Sequence, residues 1–331
     1  MKIFLVILQV LVTAAVFWFL SQKIDFAAVL EKIKGISPGT LVIVAVLCAL
    51  QICVASYRLR YALRAVGGNC TYLTAARSVM AGAFFGQTPL SSFGGDVVRT
   101  WTIFRGGTTL RNAASAVTLD RLFGFLGLFA IIILTLPSLW IHISDASLRA
   151  GIVIAVGFFC FGILAFMTLK KMPPSFRARF RFVDWVGQVS EEFHTILLAK
   201  DISVVILGLA MFMHLVSLFI IFILARQVGM DVSLYEVLYL TPFPLLASLL
   251  PISIGGWGVR EGALIVAFGL IGEPAGKVLS ASVLYGLMAL VVALPGGLIW
   301  LQMHFLSVSK QPNTASPPRT AKTSSIETEI L

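Results

Sequence analysis

Pro89-Leu90-Ser91-Ser92-Phe93-Gly94-Gly95-Asp96-Val97-Val98-Arg99 returns, one residue shorter, as Pro251-Ile252-Ser253-Ile254-Gly255-Gly256-Trp257-Gly258-Val259-Arg260. Each copy reads Pro-x-Ser and then Gly-Gly-x-x-Val-Arg, and Gly95 and Gly256 stand 161 positions apart, close to half the chain. Proline removes a helical hydrogen bond and glycine lets backbones approach closely, so each copy reads as a break in a helix. The surroundings of both copies are strongly apolar. Of 331 residues, 58% are hydrophobic and 12% charged, about half the charge of a soluble domain, and the mean hydropathy is +0.96. These numbers make the chain an all-α polytopic membrane protein.

Apolar runs at 3–20, 40–56, 118–140, 150–169, 202–225 and 278–303 are each long enough to cross roughly 30 Å of hydrocarbon. The run at 3–20 is expected to stay uncleaved, because no Ala-x-Ala site follows it. Residues 71–111 and 234–276 differ: each carries a glycine motif inside a moderately apolar stretch. Arg99, Arg105 and Arg111 follow the first motif closely, and a re-entrant hairpin keeps them on the side where the segment began. Irregular backbone at membrane depth survives only against protein or a wet cavity. The expectation is therefore about six full spans plus two interrupted, re-entrant hairpins, or about eight hydrophobic segments.

The net charge of +10 collects in the stretches between spans, above all Arg58–Arg64 and Lys170–Lys200. That placement records insertion orientation and contact with anionic headgroups rather than nucleic-acid binding. Putting both stretches in the cytoplasm puts both termini there too. The span at 40–56 and the span at 202–225 then run in opposite directions, and the two motif copies arrive with opposite polarity. Such an inverted repeat, with halves at about 40–140 and 202–303 in a membrane domain of 1–306, points to a transport site near the midplane. Phe182, Val186, Val189, Phe193 and Ile196 mark an amphipathic helix at about 175–198 between the halves, expected along the headgroup layer. Residues 307–331 are rich in Ser, Thr, Pro and Lys and read as a disordered cytoplasmic tail.

The candidate substrate-binding residues follow from this arrangement. Gly94, Gly95, Gly255 and Gly256 expose backbone at the breaks, with Ser91 and Ser253 beside them. A helix restarting there offers its amino-terminal dipole to an anion. Arg99 and Arg260, one turn on, add a guanidinium fork suited to phosphate. Asp96 and Glu261 pair with those arginines and release them when an anion competes, and Asp120-Arg121 opens the adjoining span. Arg58, Arg60 and Arg64, set among tyrosines, read as an interfacial anchor in preference to a grip on a lipid phosphate. His214 reads as a packed histidine. The cysteines and histidines show no metal spacing, and no catalytic residue, metal site or cofactor is expected.

The Pro-x-Ser-x-x-Gly-Gly-Asp-x-x-Arg run at 89–99, Asp120-Arg121 and the Gly-Gly-x-Gly-Val-Arg-Glu run at 255–261 resemble the membrane region of the lysylphosphatidylglycerol synthase family, a flippase-like family. The resemblance covers about residues 3 to 305. In the first copy Gly95-Asp96 stands where the family pattern has Gly-Glu, a shorter carboxylate of the same charge. Full-length synthases carry a soluble aminoacyl-transferase domain, and only about 25 residues follow the last span here. The resemblance implies the remaining activity: translocation of a lipid or lipid-linked sugar across the bacterial inner membrane. Its expected partners are an anionic phospholipid or a polyprenyl-phosphate-linked lipid, and envelope-biosynthesis enzymes. No Walker-type Gly-x-x-x-x-Gly-Lys-Ser/Thr accompanies it. The alternatives are an integral-membrane lipid or glycosyl transferase, and a non-transporting scaffold for envelope lipid biosynthesis.

Overall fold

Helix starts are written locally in the chain. Ser37, Thr71, Thr109 and Asp145 each accept a hydrogen bond from the backbone N–H three residues on, at 2.7–3.2 Å, and Ser233 and Glu236 close a reciprocal capping box. The computed structural model describes residue 31 and residues 34–87, 94–171, 181–249 and 253–308. Among them it is all helical: α1 (Pro38–Ala65), α2 (Tyr72–Gly86), α3 (Gly94–Arg105), α4 (Leu110–His142), α5 (Ala146–Thr168), α6 (Arg181–Leu198), α7 (Lys200–Gln227), α8 (Leu234–Leu240), α9 (Pro242–Leu249), α10 (Val259–Gly269) and α11 (Ala275–Val308). The expected span 3–20, most of the tail, and Pro89, Ser91, Pro251 and their neighbours lie outside the described residues.

Among the described residues, five helices are long and apolar enough to cross a membrane: α1, α4, α5 with its extension to Lys171, α7, and α11 as far as Met303. This makes the chain a multi-pass membrane protein. The helices outrun the apolar runs that announced them, and α4 most of all. It begins at Leu110 rather than near 118, so Asp120 is not at a span entrance but ten residues inside, roughly 15 Å along the axis at 1.5 Å per residue.

α1 and α7 lie antiparallel, joined by Thr40 to Gln227 at 3.0 Å and by Gln51 to the Met213 carbonyl at 2.9 Å. α2 and α3 form a close antiparallel hairpin, in which the Ser78 hydroxyl donates to the Arg99 carbonyl at 3.0 Å. A Cβ placed on Gly95 would sit 2.6 Å from the Gly82 carbonyl oxygen, so glycine is what lets the two backbones touch. The open end of this hairpin is tied by Thr108 to the Asn69 carbonyl, and Arg60 bonds the Cys70 carbonyl beside it. α8 and α9, separated at Thr241 before Pro242, lead to a second turn and return as α10. This hairpin is anchored elsewhere: Tyr235 bonds Ser138 near the C-terminal end of α4, and Glu273 accepts from the Asp231 N–H at 2.8 Å.

The largest apolar core joins α1, α4, α7 and the second hairpin around Ile132, Leu218, Leu224 and Phe268, while a smaller one packs Leu59, Leu63, Ala75 and Ile103 beneath the first hairpin. The apolar stripe of α6 meets protein over most of its length: Val189, Phe193 and Ile196 are buried in one cluster with Phe123 and Ile206 of α4 and α7. Phe182 alone of the five stripe residues is well exposed.

Candidate functional site

Asp120 is 1% exposed and accepts two guanidinium bonds. Arg58 Nε of α1 reaches Oδ1 at 2.7 Å, and Arg99 of α3 reaches Oδ2 at 2.6 Å. Asp96, in the first turn of α3, lies 3.6 Å from Arg99 and 2.8 Å from Arg121 Nε. The five side chains thus form an alternating row: Arg58, Asp120, Arg99, Asp96, Arg121. A charge at this depth is costly unless paired, and pairing explains how three arginines are tolerated here. Among the described residues the row holds three arginines and two carboxylates.

The row borders a cavity of about 240 Å³, which Arg58, Arg99, Asp120 and Arg121 line together. That is well above the ~10–15 Å³ one water needs. Gln51 and Ser217 add polar groups to the wall, with the Gln51 amide donating to Ser217 Oγ at 2.7 Å. His214 Nε2 lies 3.0 Å from the Gly124 carbonyl on another wall. Phe125 and Leu249 supply apolar surface. Arg99 Nε is buried and finds no partner among the described residues. The arrangement suits an anion: Arg58, Arg99 and Arg121 line one cavity, and each bonds a carboxylate, a group that a phosphate oxygen can replace.

The second motif is built differently. Arg260 and Glu261 are 6% and 0% exposed and bond each other at 2.6 Å. Ser282 donates to Glu261 at 2.9 Å and accepts from Arg260 Nε at 3.1 Å. The other Glu261 oxygen accepts from the Gly258 N–H at 2.6 Å, so a side chain of this protein already occupies the amino-terminal pole of α10. Trp257 and Tyr285 cover the guanidinium, with ring centroids 5.0 and 5.3 Å from its carbon. Gly258 sits at φ 85°, where a side chain would be strained.

The candidate residues therefore divide. Asp96, Arg99, Asp120 and Arg121 come together at one cavity, and Gly95 serves the close packing of their hairpin. The expected pairs Asp96–Arg99 and Arg260–Glu261 are both present. Arg260 and Glu261 form a closed cluster and are not among the cavity's lining residues, to which the second hairpin contributes Leu249. Gly255 and Gly256 lie in a short turn before α10, at φ 56° and 79°. Ser253 is buried, with its hydroxyl unpartnered among the described residues, and Ser91 lies outside them. The tips of the two hairpins do approach: a Cβ on Gly255 would come within 2.8 Å of Gln87 Oε1.

The cavity also takes in Arg58, Gln51 and His214, which were not among the expected site residues. Arg58 was read with Arg60 and Arg64 as an anchor, yet it is buried, whereas Arg64 is exposed. A signal existed: Gln51 lies two turns before Arg58, and two polar side chains seven apart in an apolar helix share one face.

The sequence profile of the lysylphosphatidylglycerol synthase TM region matches residues 6–297. The chain belongs to that family. It is also similar to a protein described as a UPF0104 membrane protein from Methanothermobacter thermautotrophicus, 23% identical over 308 residues, which covers 84% of this chain and 87% of that relative.

Proposed function

We propose that this protein moves a lipid or lipid-linked sugar between leaflets of a bacterial inner membrane, holding the anionic headgroup in the arginine cavity. The observation that carries this reading is the set of three arginines, each paired with a carboxylate, around one cavity inside the helical bundle. A phosphate entering the cavity competes with Asp120 and Asp96 for the fork of Arg99. Each carboxylate then turns to its second arginine, so no charge is left bare during the exchange. The substrate class is an anionic phospholipid or a polyprenyl-phosphate-linked lipid.

The same reading takes the two halves, about 40–140 and 202–303, as an inverted repeat. The antiparallel pairing of α1 with α7, the differently anchored hairpins and the approach of their tips support it. The basic stretches support cytoplasmic termini by the positive-inside rule. In this scheme the second copy has a different duty from the first. Arg260 and Glu261 brace the second hairpin through their closed pair.

The test is reconstitution in liposomes with labelled phospholipids and polyprenyl-phosphate lipids, following movement from inner to outer leaflet. Movement that Arg99→Ala reduces by at least about tenfold, some 1.4 kcal/mol, supports the reading. If no lipid in the panel moves and a chemically altered lipid accumulates, the transferase alternative replaces it. If neither occurs, and the protein instead retains an envelope-biosynthesis enzyme, the scaffold alternative does.

A further inference from the structure

None of the 23 residues of α5 is buried, although both of its neighbours in sequence, α4 and α6, pack into the bundle. α5 touches α4 through the stacked rings of Phe129 and Phe159, 4.3 Å between centroids, and bends toward α6 through the bond from Ser190 to the Phe166 carbonyl at 2.7 Å. Between these contacts a crevice of about 390 Å³ stays open. Leu122, Phe125 and Leu126 of α4 form one wall, Phe158 and Gly162 of α5 the other, and Leu246 of α9 closes one end. A Cβ on Gly162 would meet nothing within 4 Å, so the gap continues to the backbone of α5.

An apolar space of this size at membrane depth does not hold water, and hydrocarbon fills it. By itself that selects no lipid, since an acyl chain is as content among other chains as against leucine and phenylalanine. Continuity with the charged cavity does select one. Phe125 lines both spaces, and Leu246 and Leu249, one turn apart on α9, line the crevice and the cavity in turn. A polar chamber and an apolar channel that share a wall match an amphipathic molecule with its phosphate in the first and its chain in the second.

We propose that the crevice between α4 and α5 is the chain subsite for the lipid whose phosphate occupies the arginine cavity, with Phe125 as the partition between the two. This rests on the reading of the cavity as a phosphate site. The occupant is an acyl or prenyl chain.

The experiment uses the full chain in phosphatidylcholine liposomes doped with either of two photoreactive probes. One is phosphatidylglycerol and the other phosphatidylcholine, each with a diazirine in the middle of the same acyl chain. Labelled positions are mapped by mass spectrometry, and binding of glycerol phosphate to the detergent-solubilised protein reads the cavity alone. The phosphatidylglycerol probe labels the facing segments of α4 and α5 at least about fivefold more than its neutral counterpart, roughly 1 kcal/mol of preference. Arg99→Ala abolishes that preference and glycerol phosphate binding together. Gly162→Leu fills the crevice from a position with open space and removes the labelling, while glycerol phosphate binding is unchanged. Equal labelling by both probes with glycerol phosphate still bound overturns the subsite and leaves the cavity reading intact. Labelling unaffected by Gly162→Leu, or a crosslink showing the crevice covered by a second copy of this chain, also overturns it. Failure of the wild-type protein to bind glycerol phosphate breaks the cavity reading first and the subsite with it.

Discussion

Both glycine motifs end in Val-Arg, but the two arginines keep different company. Arg99 reaches across to a carboxylate on another helix and borders a cavity, whereas Arg260 bonds the residue next to it and is roofed by Trp257 and Tyr285. The contrast begins where the copies differ in sequence. Trp257 stands where the first copy has Asp96, and Glu261 where it has Thr100. Asp96 extends a chain of charges outward to Arg121, while Trp257 seals its arginine under an aromatic face. What the copies share builds a hairpin. What they do not share decides whether the hairpin is open to a ligand.

The comparison can be broken, and the largest effect comes first. Asp120→Ala takes the carboxylate from buried Arg58 and leaves Arg99 only the longer 3.6 Å contact to Asp96, and it should cost about 3–5 kcal/mol of stability, read as loss of the folded fraction during denaturation in detergent. Glu261→Ala should cost a similar ~3–5 kcal/mol for the same reason, and it also uncaps α10. Next, Arg99→Ala and Arg58→Ala should each lower lipid movement at least about tenfold while the other arginine keeps Asp120 paired and the fold intact. Retained movement in both would put the ligand elsewhere. The double substitution Arg260→Met with Glu261→Gln replaces the closed pair with neutral groups and keeps an acceptor for the Gly258 amide. It should restore most of the stability that Glu261→Ala removes, and lipid movement should stay within about threefold of wild type. A complete loss of movement in this stable variant would return Arg260 to the binding site.

Smaller effects sharpen the same contrast. Gly95→Ala drives a methyl into the Gly82 carbonyl and should cost about 1–3 kcal/mol. Arg64→Ala, exposed and six residues beyond Arg58, should change stability by no more than ~0.5 kcal/mol and shift only the orientation of insertion, read by a terminal reporter.

Much of the fold was legible because long apolar runs and capping residues are local signals. Ser37, Thr71, Thr109, Asp145 and Ser233 announce their helices, and five expected spans coincide with five long helices. The second break was legible too, since Gly255 and Gly256 stand at φ 56° and 79° before α10, whereas Gly94 and Gly95 are already helical at the start of α3. Apolar runs nevertheless mislead about helix ends. Leu110 to Val117 includes Arg111, Asn112 and Ser115, so hydropathy begins the span late and places Asp120 at the surface. The role of Arg58 was hidden for a related reason: a cluster of three arginines reads as one anchor, although successive residues on a helix turn by ~100° and face different surroundings. Likewise the stripe of α6 shows that a face will be buried without saying in what. The closed state of Arg260 had no signal at all at its own position, because Ser282 and Tyr285 come from a helix some twenty residues on.

α5 carries one further consequence. It is fixed at its start by the Asp145 cap and by Arg149 to the Ile143 carbonyl at 2.8 Å, and near its end by the Ser190 bond, with little protein packed along its length. A span held this way sets its tilt by matching its apolar length to the hydrocarbon around it, at a cost of only fractions of a kcal/mol per Å of mismatch. The same chain in lipids of different acyl length should therefore present crevices of different width between α4 and α5.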